Sequence, residues 1–243
     1  MPSTDATAPL VLITGASRGI GAATSQPRAA ESVAEAVRST GRRALALRAD
    51  VQSDAQVRAL FEAVDEASAA GRVGRLRALV NNAGVVDVPS RVADMSAERL
   101  QRMFGINVLG SMYCAREAVR RLSTARGGAG GAIVNLSSVA SRLGSAGEYV
   151  DYAAAKGAID TFTIGLAREV AAEGVRVNAV RPGITETEIH ASGGQPDRAQ
   201  RLSHLIPVGR PGTAEEVAAS VMWLLSDEAA YVTGALLDVS GGR

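Results

Sequence analysis

The chain has 243 residues, 26 Lys+Arg against 25 Asp+Glu and a net charge of +1. An apolar share of 47% supports a sizeable core, while 3% aromatics and the charge balance exclude a nucleic-acid footprint with stacking platforms. Cys114 is the only cysteine, and His190 and His204 are the only histidines, which excludes a disulfide framework and a Cys/His metal site.

Residues 1–9 lack the basic-then-apolar layout of a signal peptide and read as a frayed leader. No apolar run approaches the ~20 residues of a membrane helix. The expectation is one cytoplasmic, metal-free domain over 1–243, with no membrane or nucleic-acid partner and Cys114 as a small apolar helix residue.

Short apolar runs at 10–14, 44–51, 77–84, 132–138, 175–183 and 235–242 read as buried strands ended by turn chemistry. Amphipathic stretches at about 29–39, 54–70, 96–123, 151–173 and 213–226 read as helices. This alternation predicts a doubly wound α/β fold, a parallel sheet with helices on both faces and ligands at the carboxyl ends of its strands. One stretch breaks the pattern. After Gly21, residues 22–28 are too few for the rest of a helix plus a second strand, and Pro27 breaks any continuing helix. Either the second strand is absent or the chain skips a segment, and the skip, which is the favoured reading, falls best between Thr24 and Ser25.

The first strand runs into Thr14-Gly15-Ala16-Ser17-Arg18-Gly19-Ile20-Gly21. Its three glycines allow a tight turn and close approach of a pyrophosphate to the next helix N-terminus, although a plain strand–helix turn also uses glycine. Asp50 and Asn81-Asn82-Ala83-Gly84 end later strands on the same edge, where the carboxylate and the amides serve equally as turn and capping groups. Tyr152 and Lys156, four apart, share a helix face. An ammonium near a phenol stabilises the phenolate and lowers a pKa of ~10 toward the working range. A Tyr and a Lys at this spacing are by themselves an ordinary solvated face. Lys156, however, is the only lysine among cationic side chains that are otherwise all arginine, and a compact ammonium is not replaceable by a guanidinium.

Taken in order, TGASRGIG (14–21), NNAG (81–84), Asn107 in INVLG, NLSS (135–138), YAAAK (152–156), Pro182-Gly183 with Thr187 following, and VTGALLDVSGG resemble the short-chain dehydrogenase/reductase family. The run around SSVASRLGSAGEYVDYAAAKGAID and the later HASGG are similar to a bacterial subgroup of glucose-1-dehydrogenase-like and uncharacterised oxidoreductases. The resemblance implies hydride transfer between a nicotinamide cofactor and an alcohol or carbonyl substrate. Tyr152 would be the acid/base, Lys156 its pKa partner and ribose ligand, Ser138 the polariser of the substrate oxygen and Asn107 the holder of a relay water. Ser137 is the alternative to Ser138, which the family's usual placement favours. Gly15, Ser17, Arg18, Gly19, Ile20, Gly21, Asp50, Val51, Asn82, Ala83, Gly84, Pro182, Gly183 and Thr187 would bind the cofactor together with Tyr152 and Lys156. Arg18, Ser25 and Arg28 make NADP the expected cofactor ahead of NAD.

Residues 184–206 correspond to the family's substrate lid, with Gly193-Gly194 as a hinge and His190 as a packing residue. Glu148 and Tyr149 either select polar substrates or fill a loop. The family's assembly implies a homotetramer. Two other functions stand as alternatives: a 3-oxoacyl-thioester reductase, which shares every catalytic residue, and a catalytically silent dinucleotide sensor, which would be expected to lose Tyr152, Lys156 or Ser138.

Overall fold

A computed structural model describes residues 8–16 and 27–243. The predicted skip between Thr24 and Ser25 and the turn residues Ser17, Arg18, Gly19, Ile20 and Gly21 lie outside the described residues. Five strands, β1 (Leu10–Ile13), β2 (Leu76–Asn81), β3 (Gly131–Leu136), β4 (Val175–Pro182) and β5 (Leu236–Val239), form one sheet in the order β1-β2-β3-β4-β5 among the described residues. Every pairing is parallel.

Parallel strands covered on both faces carry continuous apolar runs, and alternation then distributes them between two cores. Leu79, Ile133 and Val177 face one way, where Val57 and Phe61 of α2 (Asp54–Ala69) and Cys114, Ala115 and Ala118 of α4 (Ser111–Leu122) close over them. Val80, Val134 and Val180 face the other way, against Val217, Val221 and Leu224 of α9 (Ala214–Leu225). Helix α9 starts on a capping box in which Thr213 and Glu216 satisfy each other's backbone N–H.

The strand expected over 44–51 does not form. Residues 42–50 have no ladder partner, and Leu45 and Leu47 are each 38% exposed. In a doubly wound sheet the third strand joins through the second, and residues 42–50 meet no such neighbour among the described residues. Strand β1 is accordingly an edge among the described residues, with Ile13 43% exposed.

The remaining helices are α1 (Pro27–Ser39), α3 (Ala97–Phe104), α5 (Ala140–Leu143), α6 (Val150–Val170), α7 (Ile189–Ser192) and α8 (Arg198–Arg201). The single helix expected over 96–123 is interrupted by a π turn, Gly105–Gly110, between α3 and α4. Asn107 accounts for it. Its side-chain amide donates to the Met103 carbonyl at 3.0 Å, occupying the acceptor that its own backbone N–H would use in an α-helix.

Candidate active site

The carboxyl ends of β1 to β4 converge on one edge of the sheet. At the first, the Thr14 hydroxyl accepts the backbone N–H groups of Asn82 and Ala83, both at 3.1 Å. The Asn82 amide donates to the carbonyls of Thr14 (3.0 Å) and Gly15 (3.2 Å), binding the glycine turn to the end of β2. Gly15 has φ +66, and a Cβ there would lie 2.8 Å from the Ala83 Cα. The positive φ and the close approach of the two backbones leave room for glycine alone at this position.

Asn81 points inward, donating to the Ser111 carbonyl and to Asn135 Oδ1, and Asn135 donates in turn to the Thr163 hydroxyl. This buried chain holds β2, β3, α4 and α6 in register, which is the capping expected of one of the two asparagines. Asn107 Oδ1 accepts the Val85 N–H at 3.1 Å, and its Nδ2 donates to the Val85 carbonyl at 3.0 Å. Gly84 lies between Asn107 and Lys156: a Cβ on it would be 2.9 Å from Asn107 Oδ1 and 3.6 Å from Lys156 Nζ.

Helix α6 supplies Tyr152 and Lys156 one turn apart. Lys156 Nζ donates to the Leu136 carbonyl at 2.6 Å and lies 5.6 Å from the Tyr152 ring centroid. Burial lowers the Lys156 ammonium to about 8, against the opposing pull of Asp160. Burial pushes the Tyr152 phenol up to about 12, with a hydrogen bond to Ser138 acting the other way. The expected lowering of the tyrosine by the lysine is therefore not present in this state, because the loss of water around the phenol dominates. Ser137 donates its hydroxyl to the Lys156 carbonyl at 3.1 Å, which leaves Ser138 as the serine beside Tyr152.

Asn82, Gly84, Ser138, Tyr152, Lys156, Pro182, Gly183 and Thr187 all line one cavity of about 440 Å³. Asn107 stands behind Gly84. Asp50 and Val51 are not part of the cavity wall. The exposed Asp50 carboxylate accepts the Gln52 N–H at 3.0 Å in a local turn, and Val51 packs against Gly110. His190 places Nε2 3.1 Å from the Thr185 carbonyl, and burial first, then Arg198, lowers its pKa. The sequence reading missed Arg198, which also lines the cavity and pairs with Glu148 fifty residues away at 2.7 Å. One arginine among the 25 of this chain (26 Lys+Arg less Lys156) carries no pattern that would single it out.

Among the described residues no group of three His, Cys, Asp or Glu side chains could hold a metal ion. No helix among them is long and apolar enough to cross a membrane.

A family model described as enoyl-(acyl carrier protein) reductase matches residues 13–243. The uncharacterized oxidoreductase YgfF of Escherichia coli (strain K12) is 50% identical over 250 residues, covering 96% of this chain and 99% of its own. That aligned stretch is longer than the 243 residues of this chain, so the relative holds residues with no counterpart here. Glucose 1-dehydrogenase 2 of Bacillus subtilis (strain 168) is 33% identical over 254 residues, covering 98% of this chain and 95% of its own. Among solved structures, the 3-ketoacyl-(acyl-carrier-protein) reductase from Brucella melitensis complexed with NADH matches with a TM-score of 0.84 at 28% identity, covering 98% of this chain and 99% of that one. With its parallel sheet, its strand-end cavity and these matches, the chain belongs to the short-chain dehydrogenase/reductase family of NAD(P)-dependent oxidoreductases.

Proposed function

We propose that Tyr152, Lys156, Ser138 and Asn107 carry out reversible proton transfer to a small alcohol or ketone at the cavity. The observation that carries this reading is the meeting of Ser138, Tyr152 and Lys156 on one cavity wall that continues into Asn82, Gly84, Pro182 and Gly183. The glycine turn that Asn82 and Gly15 fix at the end of the first strand would hold the cofactor's phosphates, and the cofactor, when bound, supplies or takes up the hydride. In reduction, the Ser138 and Tyr152 hydroxyls donate to the substrate carbonyl oxygen. As the carbon gains hydride, the Tyr152 proton passes to that oxygen and a phenolate remains. The Lys156 ammonium stabilises the phenolate, and a water held at Asn107 returns a proton through Lys156. Oxidation runs the same steps backward.

Gly15, Ser17, Arg18, Gly19, Ile20, Gly21, Asp50, Val51, Ala83 and Thr187 complete the proposed cofactor site. Arg18, Ser25 and Arg28 support NADP over NAD. Residues 184–206 act as the lid of the single domain. Exposed apolar side chains on two separate helical faces, Phe104 and Leu109 on one and Met222 and Trp223 on the other, support a homotetramer. The single buried, free cysteine suits the cytoplasm. The likeness to a 3-ketoacyl reductase favours 3-oxoacyl thioesters as a second substrate reading. The intact Ser138–Tyr152–Lys156 set argues against a silent sensor. Simple ketones and 3-oxoacyl esters assayed with NADPH and NADH, and sugars and polyols assayed with NADP+ and NAD+, test the reading through nicotinamide absorbance. Turnover of an alcohol or ketone, faster with NADPH, is expected; tight cofactor binding with no turnover of any compound contradicts it.

A further inference from the structure

Arg198, on α8, forms part of the cavity wall, and its side chain is 13% exposed. Its Nη2 donates to Glu148 Oε2 at 2.7 Å, and its guanidinium carbon stands 5.0 Å from the Tyr149 ring centroid. Gln195 donates to the Tyr149 hydroxyl, so the ring that supports the guanidinium is itself held. Nη1 is buried and meets no acceptor among the described residues. A desolvated guanidinium N–H without an acceptor is unfavourable, and a planar fork with one edge already on a carboxylate has its second edge shaped for another.

The charges around the cavity point the same way. Lys156, Arg102, Arg198 and Arg243 stand on its wall against Glu188 alone, and Arg102 is partly engaged by Asp87 at 3.1 Å. Glu148 is held below the ordinary carboxylate range by the Arg198 hydrogen bond, with Arg201 and Arg243 adding to it. The acid that pairs with Arg198 is thus already outnumbered by cations. His190, kept toward its neutral form by burial and by Arg198, adds no competing charge.

We propose that the substrate is a hydroxy acid or oxo acid whose carboxylate binds the free edge of Arg198 while its alcohol or carbonyl carbon lies at Tyr152 and Ser138. This rests on the hydride-transfer reading above. The carboxylate takes no part in the redox step; it orients the molecule and selects it over uncharged ketones.

The test compares 4-oxopentanoate, 5-oxohexanoate and 3-oxocyclohexanecarboxylate, each beside its methyl ester, with NADPH and NADH. The acids are expected to have the higher kcat/KM. Arg198→Gln raises KM for the acids by about 10- to 100-fold and changes KM for the esters far less. Glu148→Gln, which keeps the guanidinium and removes its competitor, lowers KM for the acids. Esters reduced as well as or better than acids by the unaltered protein overturn the carboxylate anchor and leave hydride transfer standing. An equal loss of acid and ester activity in Arg198→Gln also overturns it, since that marks a structural role. Failure of every compound to oxidise either cofactor overturns both readings.

Discussion

Lys156 on α6 donates its ammonium to the carbonyl of Leu136, the last residue of β3, at 2.6 Å. The contact fixes the lysine against the sheet edge, while the hydroxyl of Ser137, the next residue after β3, returns a bond to the Lys156 carbonyl. The proton-transfer helix is therefore indexed to the strand that also carries Ser138.

Gly84 fills the space between Asn107 and Lys156, and neither neighbour is free to retreat. Gly84→Ala places a methyl 2.9 Å from Asn107 Oδ1, whose amide already holds the Val85 and Met103 backbone. Overpacking of this kind costs about 1–3 kcal/mol. The expected outcome is a lower urea midpoint and a drop in kcat larger than the change in cofactor Kd.

The pH profile should separate the two directions. With Tyr152 pushed up to about 12, the phenol stays protonated at neutral pH, ready to donate in reduction. Oxidation needs the phenolate and should quicken as pH rises from 7 to 10. Reduction should fall above about pH 8, as Lys156 loses its charge. The lysine also marks stability. Its folded-state pKa is below the ordinary 10.5, so the unfolded chain binds more protons between about 8 and 10.5, and this group's contribution to stability rises across that window. Lys156→Met removes that slope, measured as urea midpoints across the same range.

Asp160, one turn beyond Lys156, accepts Nε (3.0 Å) and Nη2 (2.8 Å) of Arg181 on Oδ2, while Oδ1 is buried with no donor among the described residues. Asp160→Asn breaks a largely buried pair, at a cost of about 3–5 kcal/mol. It also removes the one negative group that favours the charged lysine. Besides a lower melting point, the alkaline limb of the reduction profile should move to lower pH; an unmoved limb makes Asp160 purely structural.

Much of the frame was legible because parallel strands and their helices write their periods directly into the chain: LVLIT, RALVNNAG and AIVNLSS all lie where the sheet has them. The run at 44–51 has the same apolar character and forms no strand, since pairing depends on a neighbour that is not present among the described residues. The π turn was hidden for a different reason. A 3.6-residue periodicity continues through it, and only the Asn107–Met103 bond displaces the ladder. Tyr152 and Lys156 could be read from spacing and from the solitary lysine. Arg198 could not, because its role arises from contacts with Glu148 and Tyr149 across fifty residues of chain.

The most direct measurement is Tyr152→Phe, assayed with any compound the unaltered protein turns over and titrated in parallel with NADPH. Loss of one hydroxyl from the cavity wall should abolish turnover and leave the cofactor Kd nearly unchanged. Retained turnover would contradict the assignment of Tyr152 as the group that moves the proton.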